Sequence, residues 1–158
     1  TPSLTSSTPA ALLRDAWSAN ALPSLTLNGQ LFASTATVRV RSSAGMNAVD
    51  TVLTPTSVSA SGLALVVTMP RAVMTTAGTF SLTVTNPRAF PAQLLSDDGG
   101  ISSALNVTVQ NPTPSLSSLA PASLAAASPN TALTVNGANF TRETQLFING
   151  MPAERTIV

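Results

Sequence analysis

The chain has 158 residues, of which 8% are charged; its seven basic residues are all arginine, its net charge is +1, and it has no cysteine, histidine or tyrosine. Disulfides, zinc-thiolate sites and thiol or imidazole catalysis are thereby excluded, and a balance this close to neutral implies no polyanionic partner. No apolar run reaches the roughly 18–20 residues of a membrane span, while the length suits one good core and part of another.

Taken in chain order, the opening Thr1-Pro2-Ser3-Leu4 leads through a Pro- and Ser-rich stretch to Leu25-Thr26-Leu27-Asn28-Gly29-Gln30-Leu31-Phe32. Alternation of period two predicts a strand with Leu25, Leu27 and, at its end, Leu31 on one face. Val38 and Val40 share a face of the next strand, with Arg39 and Arg41 turned the other way. Leu63, Leu65, Val67 and Met69 then alternate with Ala64, Val66 and Thr68, and Phe80, Leu82 and Val84 alternate with Ser81, Thr83 and Thr85. The last strand of this part directs Leu105, Val107 and Val109 inward and Asn106 and Thr108 outward. Strands this short, with a turn signal about every dozen residues, predict an all-β, two-sheet sandwich of immunoglobulin type over residues 1–111. Its expected core is Leu25, Leu27, Val38, Val40, Leu65, Val67, Phe80, Leu82, Val84, Leu105 and Val107.

Residues 113–148 then repeat residues 1–40. Thr113-Pro114-Ser115-Leu116 restates the opening at a shift of 112, and Leu133-Thr134-Val135-Asn136-Gly137-Ala138-Asn139-Phe140 restates the following strand at a shift of 108. The first copy thus holds four extra residues within residues 12–21, next to its single Trp17. A second domain of the same kind is expected to occupy residues 112–158, presenting Leu133, Val135, Phe140, Leu146 and Ile148 as an inward face. It lacks counterparts of the first copy's later strands. The start without methionine or signal peptide reads as an excerpt from a longer polypeptide. Two physical readings suit Gly29 and Gly137: a sharp bend needing positive φ, or, for Asn28-Gly29, a two-residue hairpin turn. The longer connection over residues 42–47 is matched in the second copy by a tight Asn149-Gly150 turn.

The order Pro-x-Leu, proline-containing turn, Leu-Thr-Leu/Val-Asn-Gly-x-x-Phe, then Val-x-Val or Leu-Phe-Ile, resembles the start of an IPT/TIG domain. This immunoglobulin-like family occurs in plexins and transcription factors. In the first copy Leu63-Ala64-Leu65-Val66-Val67-Thr68-Met69-Pro70, Ala77-Gly78-Thr79-Phe80-Ser81-Leu82-Thr83-Val84-Thr85-Asn86-Pro87 and Gly99-Gly100-Ile101-Ser102-Ser103-Ala104-Leu105 continue the pattern. The resemblance covers most of residues 1–111 and all of 113–158, and departs from the family at residues 12–21 and 42–47. It implies tandem sandwiches and a role as an accessory or structural module.

Materials for catalysis are few. The carboxylates Asp15, Asp50, Asp97, Asp98, Glu143 and Glu154 are scattered through loops and strand ends. Asp97-Asp98-Gly99-Gly100 offers two ligand residues where calcium takes six to eight oxygens, and reads better as a solvated turn. Arg39 and Arg41 suit a solvent-facing strand better than an anion site, and no basic loop supports DNA binding. No enzyme, cofactor, metal or membrane insertion is expected. Asn106-Val107-Thr108 and Asn139-Phe140-Thr141 are N-glycosylation acceptors; Asn106 is favoured by its outward position, whereas Asn139 also suits a left-handed turn. The Thr/Ser/Pro clusters at residues 1–9 and 111–115 read as linkers, and as O-glycan carriers if the protein is secreted. Trp17 reads as packing over a sandwich end.

Together these features lead to an expected extracellular or cell-surface repeat protein, non-catalytic and structural or adhesive. The partial second domain would be completed by a neighbouring copy, giving a homo-oligomer or a head-to-tail glycoprotein fibril, or by further chain. The alternative is an accessory carbohydrate- or protein-binding module of a secreted enzyme or receptor. A free-standing enzyme is the most distant reading.

Overall fold

The computed structural model describes residues 1–15, 21–42, 48–88, 99–126, 131–141 and 144–154. It divides into two units, Thr1–Gln110 and Asn111–Val158.

In the first unit, strands β1 (Ser3–Thr8), β2 (Ala11–Leu13), β3 (Ser24–Gln30), β4 (Thr37–Ser42), β5 (Asp50–Leu53), β6 (Ser57–Val58) and β7 (Ala64–Thr68) precede one helical turn, α1 (Arg71–Met74). Strands β8 (Gly78–Asn86), β9 (Gly100–Ile101) and β10 (Leu105–Gln110) follow. They form a two-sheet β-sandwich, one sheet ordered β1-β3-β7-β6 and the other β2-β10-β8-β4-β5, with β9 beside β8. The chain changes sheets early. β1 lies antiparallel to β3, and after Thr8-Pro9 the chain runs as β2 parallel to β10.

Period-two alternation fills the space between the sheets as expected. Leu25, Leu27, Leu65 and Val67 from one sheet and Val38, Val40, Phe80, Leu82, Val84 and Val107 from the other are buried, with Leu105 only partly so. Leu4, Leu12, Phe32, Ala36, Met69, Val73, Met74 and Val109 complete the core. Val73 and Met74 come from α1, a turn that period-two reading cannot register. Leu12 comes from β2, inside the stretch read only as an insertion.

Four local expectations are corrected. The Thr/Ser/Pro cluster at residues 1–9 is not a linker: Ser3–Thr8 form β1 and pair with β3. Leu63 is exposed rather than aligned with Leu65, because β7 begins at Ala64 and Leu63 belongs to the preceding turn, where its carbonyl accepts the Gly29 amide at 2.9 Å. Leu31 is also exposed and takes φ 59°, beyond the end of β3. Gly29 neither bends the chain by positive φ nor makes a hairpin: it continues β3, and its missing side chain has a different cause. A Cβ there would run into the Ser3 carbonyl and lie 2.5 Å from the Phe32 ring. The left-handed residue is Leu31, two positions on. Asn86 fixes that turn by donating to the Leu31 carbonyl at 2.6 Å and accepting from the Ala33 amide at 3.0 Å.

The second unit contains β11 (Ser115–Ala120), β12 (Thr134–Ala138), β13 (Phe147–Ile148) and β14 (Met151–Pro152), paired as β11 with β12 and β13 with β14. The Asn149-Gly150 turn joins β13 to β14 with φ of 50° and 80°, the positive pair a tight hairpin needs.

Two expected outcomes follow. Leu82→Ala, which empties a fully buried site, is expected to lower unfolding free energy by about 2–5 kcal/mol in urea denaturation. Gly29→Ala is expected to destabilise by about 1–3 kcal/mol through overpacking against backbone, whereas Leu31→Asn should stabilise by up to about 1 kcal/mol, since asparagine tolerates left-handed φ better than leucine. Equal effects of the last two would contradict the geometry.

Candidate functional site

The second unit rebuilds the antiparallel β1/β3 strand pair of the first, with the same register. Leu4 pairs with Gly29 and Leu116 with Gly137; Ser7 pairs with Leu27 and Leu119 with Val135. A bulge falls between Leu4 and Ser6 in one hairpin and between Leu116 and Ser118 in the other. Asn28 donates to the Ser6 hydroxyl at 3.4 Å, and Asn136 donates to that of Ser118 at 3.1 Å. A Cβ on Gly137 would meet the Ser115 carbonyl and lie 2.6 Å from the Phe140 ring, the same obstruction found at Gly29. Asn139 stands where the first hairpin has Leu31, with φ 64°, so Gly137 too is required by close approach rather than by positive φ.

What differs is burial. Leu4 is 7% exposed but Leu116 65%; Phe32 is 5% exposed but Phe140 37%. Val40 is fully buried whereas Ile148, its counterpart at the same shift, is 50% exposed. Leu133, Val135 and Leu146, the other residues expected on the inward face, are half-buried, and Phe147 and Met151 are exposed. The reason is visible in the first unit. There the hairpin packs under a sheet built from β4, β8 and β10, and β7 lies along the far edge of β3. Among the described residues of the second unit, β12 pairs only with β11.

The two glycosylation candidates occupy different settings. Asn106 is exposed on β10, opposite Ser81, on the outer face of its sheet among Thr79, Thr108, Ser81 and Thr83. Asn139 is also exposed, but its side chain donates to the Thr113 carbonyl at 2.9 Å, and Thr141 of the same triplet is bound to Thr144. The amide thus fastens the start of β11 to the end of β12.

One polar cluster was not foreseen. Asp50, at the start of β5, receives Arg39 through two bonds of 2.7 Å and Arg41 through one of 3.3 Å. Both arginines project from β4 on the outer face, and pairing of Arg41 with Asp50 across the strands brings the carboxylate between them. The hydrogen bond from Arg39 holds the Asp50 carboxyl well below the usual range, at about 2, with Arg41 adding to the effect. Only knowledge that residues 50–53 form a strand beside β4 would have revealed this partner. Asp15 lies 3.4 Å from Arg14, and Glu154 is exposed in the second unit. Trp17, Asp97, Asp98 and Glu143 lie outside the described residues. Among the described residues no cluster of three or more His, Cys, Asp or Glu side chains suits a metal ion, and no helix is long and apolar enough to cross a membrane. Neither any protein family nor any curated protein matches the chain.

For Asp50 the sign is definite: a folded-state value held low makes the cluster's stabilisation fully present at neutral pH. It is lost as pH falls from the ordinary carboxylate range through about 2. Carbon-detected NMR titration is expected to place the Asp50 midpoint near 2, and Arg39→Gln to move it upward. A midpoint unaffected by Arg39→Gln would contradict the assignment.

Proposed function

We propose that this chain is a non-catalytic structural or adhesive module of an extracellular repeat protein. In this reading both units are immunoglobulin-like repeats of IPT/TIG type, and the second is completed either by strands from a neighbouring copy, so that copies join head to tail, or by further chain. The observation that carries it is the difference in burial between the two matched hairpins: the same apolar positions are sealed in one unit and open to solvent in the other. Exposed apolar groups cost free energy in water, about 25 cal/mol per Å². Exposed apolar groups of this kind favour association over isolation.

A heterologous contact of this kind uses a different surface on each partner and propagates when no ring closes. The outer face of the first unit fits the same role: hydroxyl-bearing Thr79, Ser81, Thr83 and Thr108 surround Asn106, giving a well-hydrated surface suited to carrying a glycan. The charged share of 8% leaves little electrostatic repulsion between successive copies.

Sedimentation velocity and negative-stain electron microscopy test this directly. The chain is expected to form concentration-dependent, linear assemblies, and Ile148→Glu is expected to suppress them. Because Ile148 is exposed, that change should alter the stability of the first unit by no more than about 0.5 kcal/mol. A chain that remains monomeric at millimolar concentration would rule the assembly out. Mass spectrometry of material from the natural source is expected to find a glycan on Asn106; an unmodified Asn106 would remove the support for an extracellular setting.

A further inference from the structure

We infer that Asn149 is a site of spontaneous, irreversible modification, its side-chain amide being converted to aspartate and isoaspartate with water as the only co-reactant. This modification is independent of the assembly proposed above.

The chemistry begins in the sequence. Asn28-Gly29, Asn136-Gly137 and Asn149-Gly150 all place a glycine after asparagine, and with no Cβ to shield it the glycine amide nitrogen can approach the preceding side chain. That nitrogen attacks Cγ of the asparagine, its proton and the side-chain nitrogen leave as ammonia, and a succinimide ring closes. Water then opens either carbonyl–nitrogen bond of the ring, giving aspartate or an isoaspartate whose main chain runs through Cγ. Water is consumed, ammonia is released, and nothing is oxidised or reduced. As dipeptides the three pairs are equivalent.

What separates them is the backbone around each. Asn28 pairs with Ser6 on one side and Ala64 on the other, its side chain donates to the Ser6 hydroxyl at 3.4 Å, and the Gly29 amide donates to the Leu63 carbonyl at 2.9 Å. The attacking nitrogen and the leaving amide are both held. Asn136 lies within β12 opposite Ser118 and donates to its hydroxyl at 3.1 Å. Ring closure requires ψ of the asparagine to rotate, and in a paired strand that rotation breaks the ladder.

Asn149 is free of these restraints. It and Gly150 are exposed in the turn between β13 and β14, and the Asn149 side chain makes no hydrogen bond among the described residues. Chain neighbours apart, no atom lies within 4 Å of the position a Cβ on Gly150 would take. The turn rests on two residue pairs, Phe147 with Pro152 and Ile148 with Met151, and Pro152 has no amide to donate. Opening it far enough to close the ring therefore costs little, whereas the same rotation at Asn28 disrupts a sheet packed over the core. Residues 144–153 contain no charged side chain, so the new carboxylate brings the first charge beside the exposed Ile148 and Met151 and cancels the chain's net charge of +1. In the isoaspartate form the extra main-chain carbon lengthens a turn whose geometry sets the register of its strands.

The test is incubation of the full chain in mildly alkaline buffer, once native and once unfolded in urea, followed by tryptic peptide mapping with electron-transfer fragmentation to separate aspartate from isoaspartate. Cleavage at arginine puts the three pairs in different peptides, residues 15–39, 89–142 and 143–155. In the native chain Asn149 is expected to convert at least about tenfold faster than Asn28 and Asn136, with both products present. In urea the three rates are expected to converge. Gly150→Ala, which returns a Cβ beside the attacking nitrogen, is expected to slow conversion at Asn149 about tenfold in urea, where its effect on folding plays no part. Native conversion no faster at Asn149 than at either other asparagine, a rate ratio unchanged by urea, an unaltered rate in Gly150→Ala, or aspartate without isoaspartate would each overturn the assignment.

Discussion

The approach of the Ser3 carbonyl and the Phe32 ring to the position that a side chain at residue 29 would occupy governs the first unit. Only glycine leaves room at residue 29. That contact brings β1 against β3 through a bulge, seats Phe32 under the end of the sandwich and forces the chain between them to reverse through a left-handed residue at Leu31. Asn86, reaching from β8 in the opposite sheet, then clamps the reversal from both sides. A single steric requirement thus links the two sheets at one end of the core. Its recurrence at Gly137, with Ser115 and Phe140, preserves the same local strand pairing in the second unit.

The left-handed position shows how similar backbones are supported by different chemistry. In the first unit it is occupied by leucine, a residue that gains nothing from that conformation, and a remote asparagine holds the turn in place. In the second unit Asn139 occupies it directly and uses its own side chain to tether Thr113. The local support replaces the distant one. A hairpin with fewer tertiary neighbours must carry more of its own hydrogen bonding, since buried or constrained backbone groups left unpaired cost free energy comparable to a lost hydrogen bond.

The first unit limits its edges with the short β2 and β6, with a bulge in β1 and with the Arg39–Asp50–Arg41 cluster on β5, whose exposed ion pairs contribute little to stability. The apolar positions exposed in the second unit are the feature on which the proposed function rests.

Alternation by itself fixed the all-β class and nearly all of the first core, because inward and outward residues on a half-buried strand differ in cost by more than any local preference. Leu25, Leu27, Val38, Val40, Leu65, Val67, Phe80, Leu82, Val84 and Val107 were legible in this way, and so were the Asn149-Gly150 turn and the outward setting of Asn106. Leu63 and Leu31 were misplaced because apolar periodicity does not mark where a strand ends; hydrogen bonds from Gly29 and Asn86 decide that. The glycine at 29 was visible, but its cause was not, since close approach of Ser3 is a contact between residues 26 positions apart. The strand-forming role of residues 50–53, the partner of Arg39, and the insertion of Val73 and Met74 from a single helical turn likewise depended on which strands lie side by side. The sequence alone marked the second hairpin as a copy of the first; only the tertiary structure distinguished them, because burial depends on what covers a face and not on the face itself.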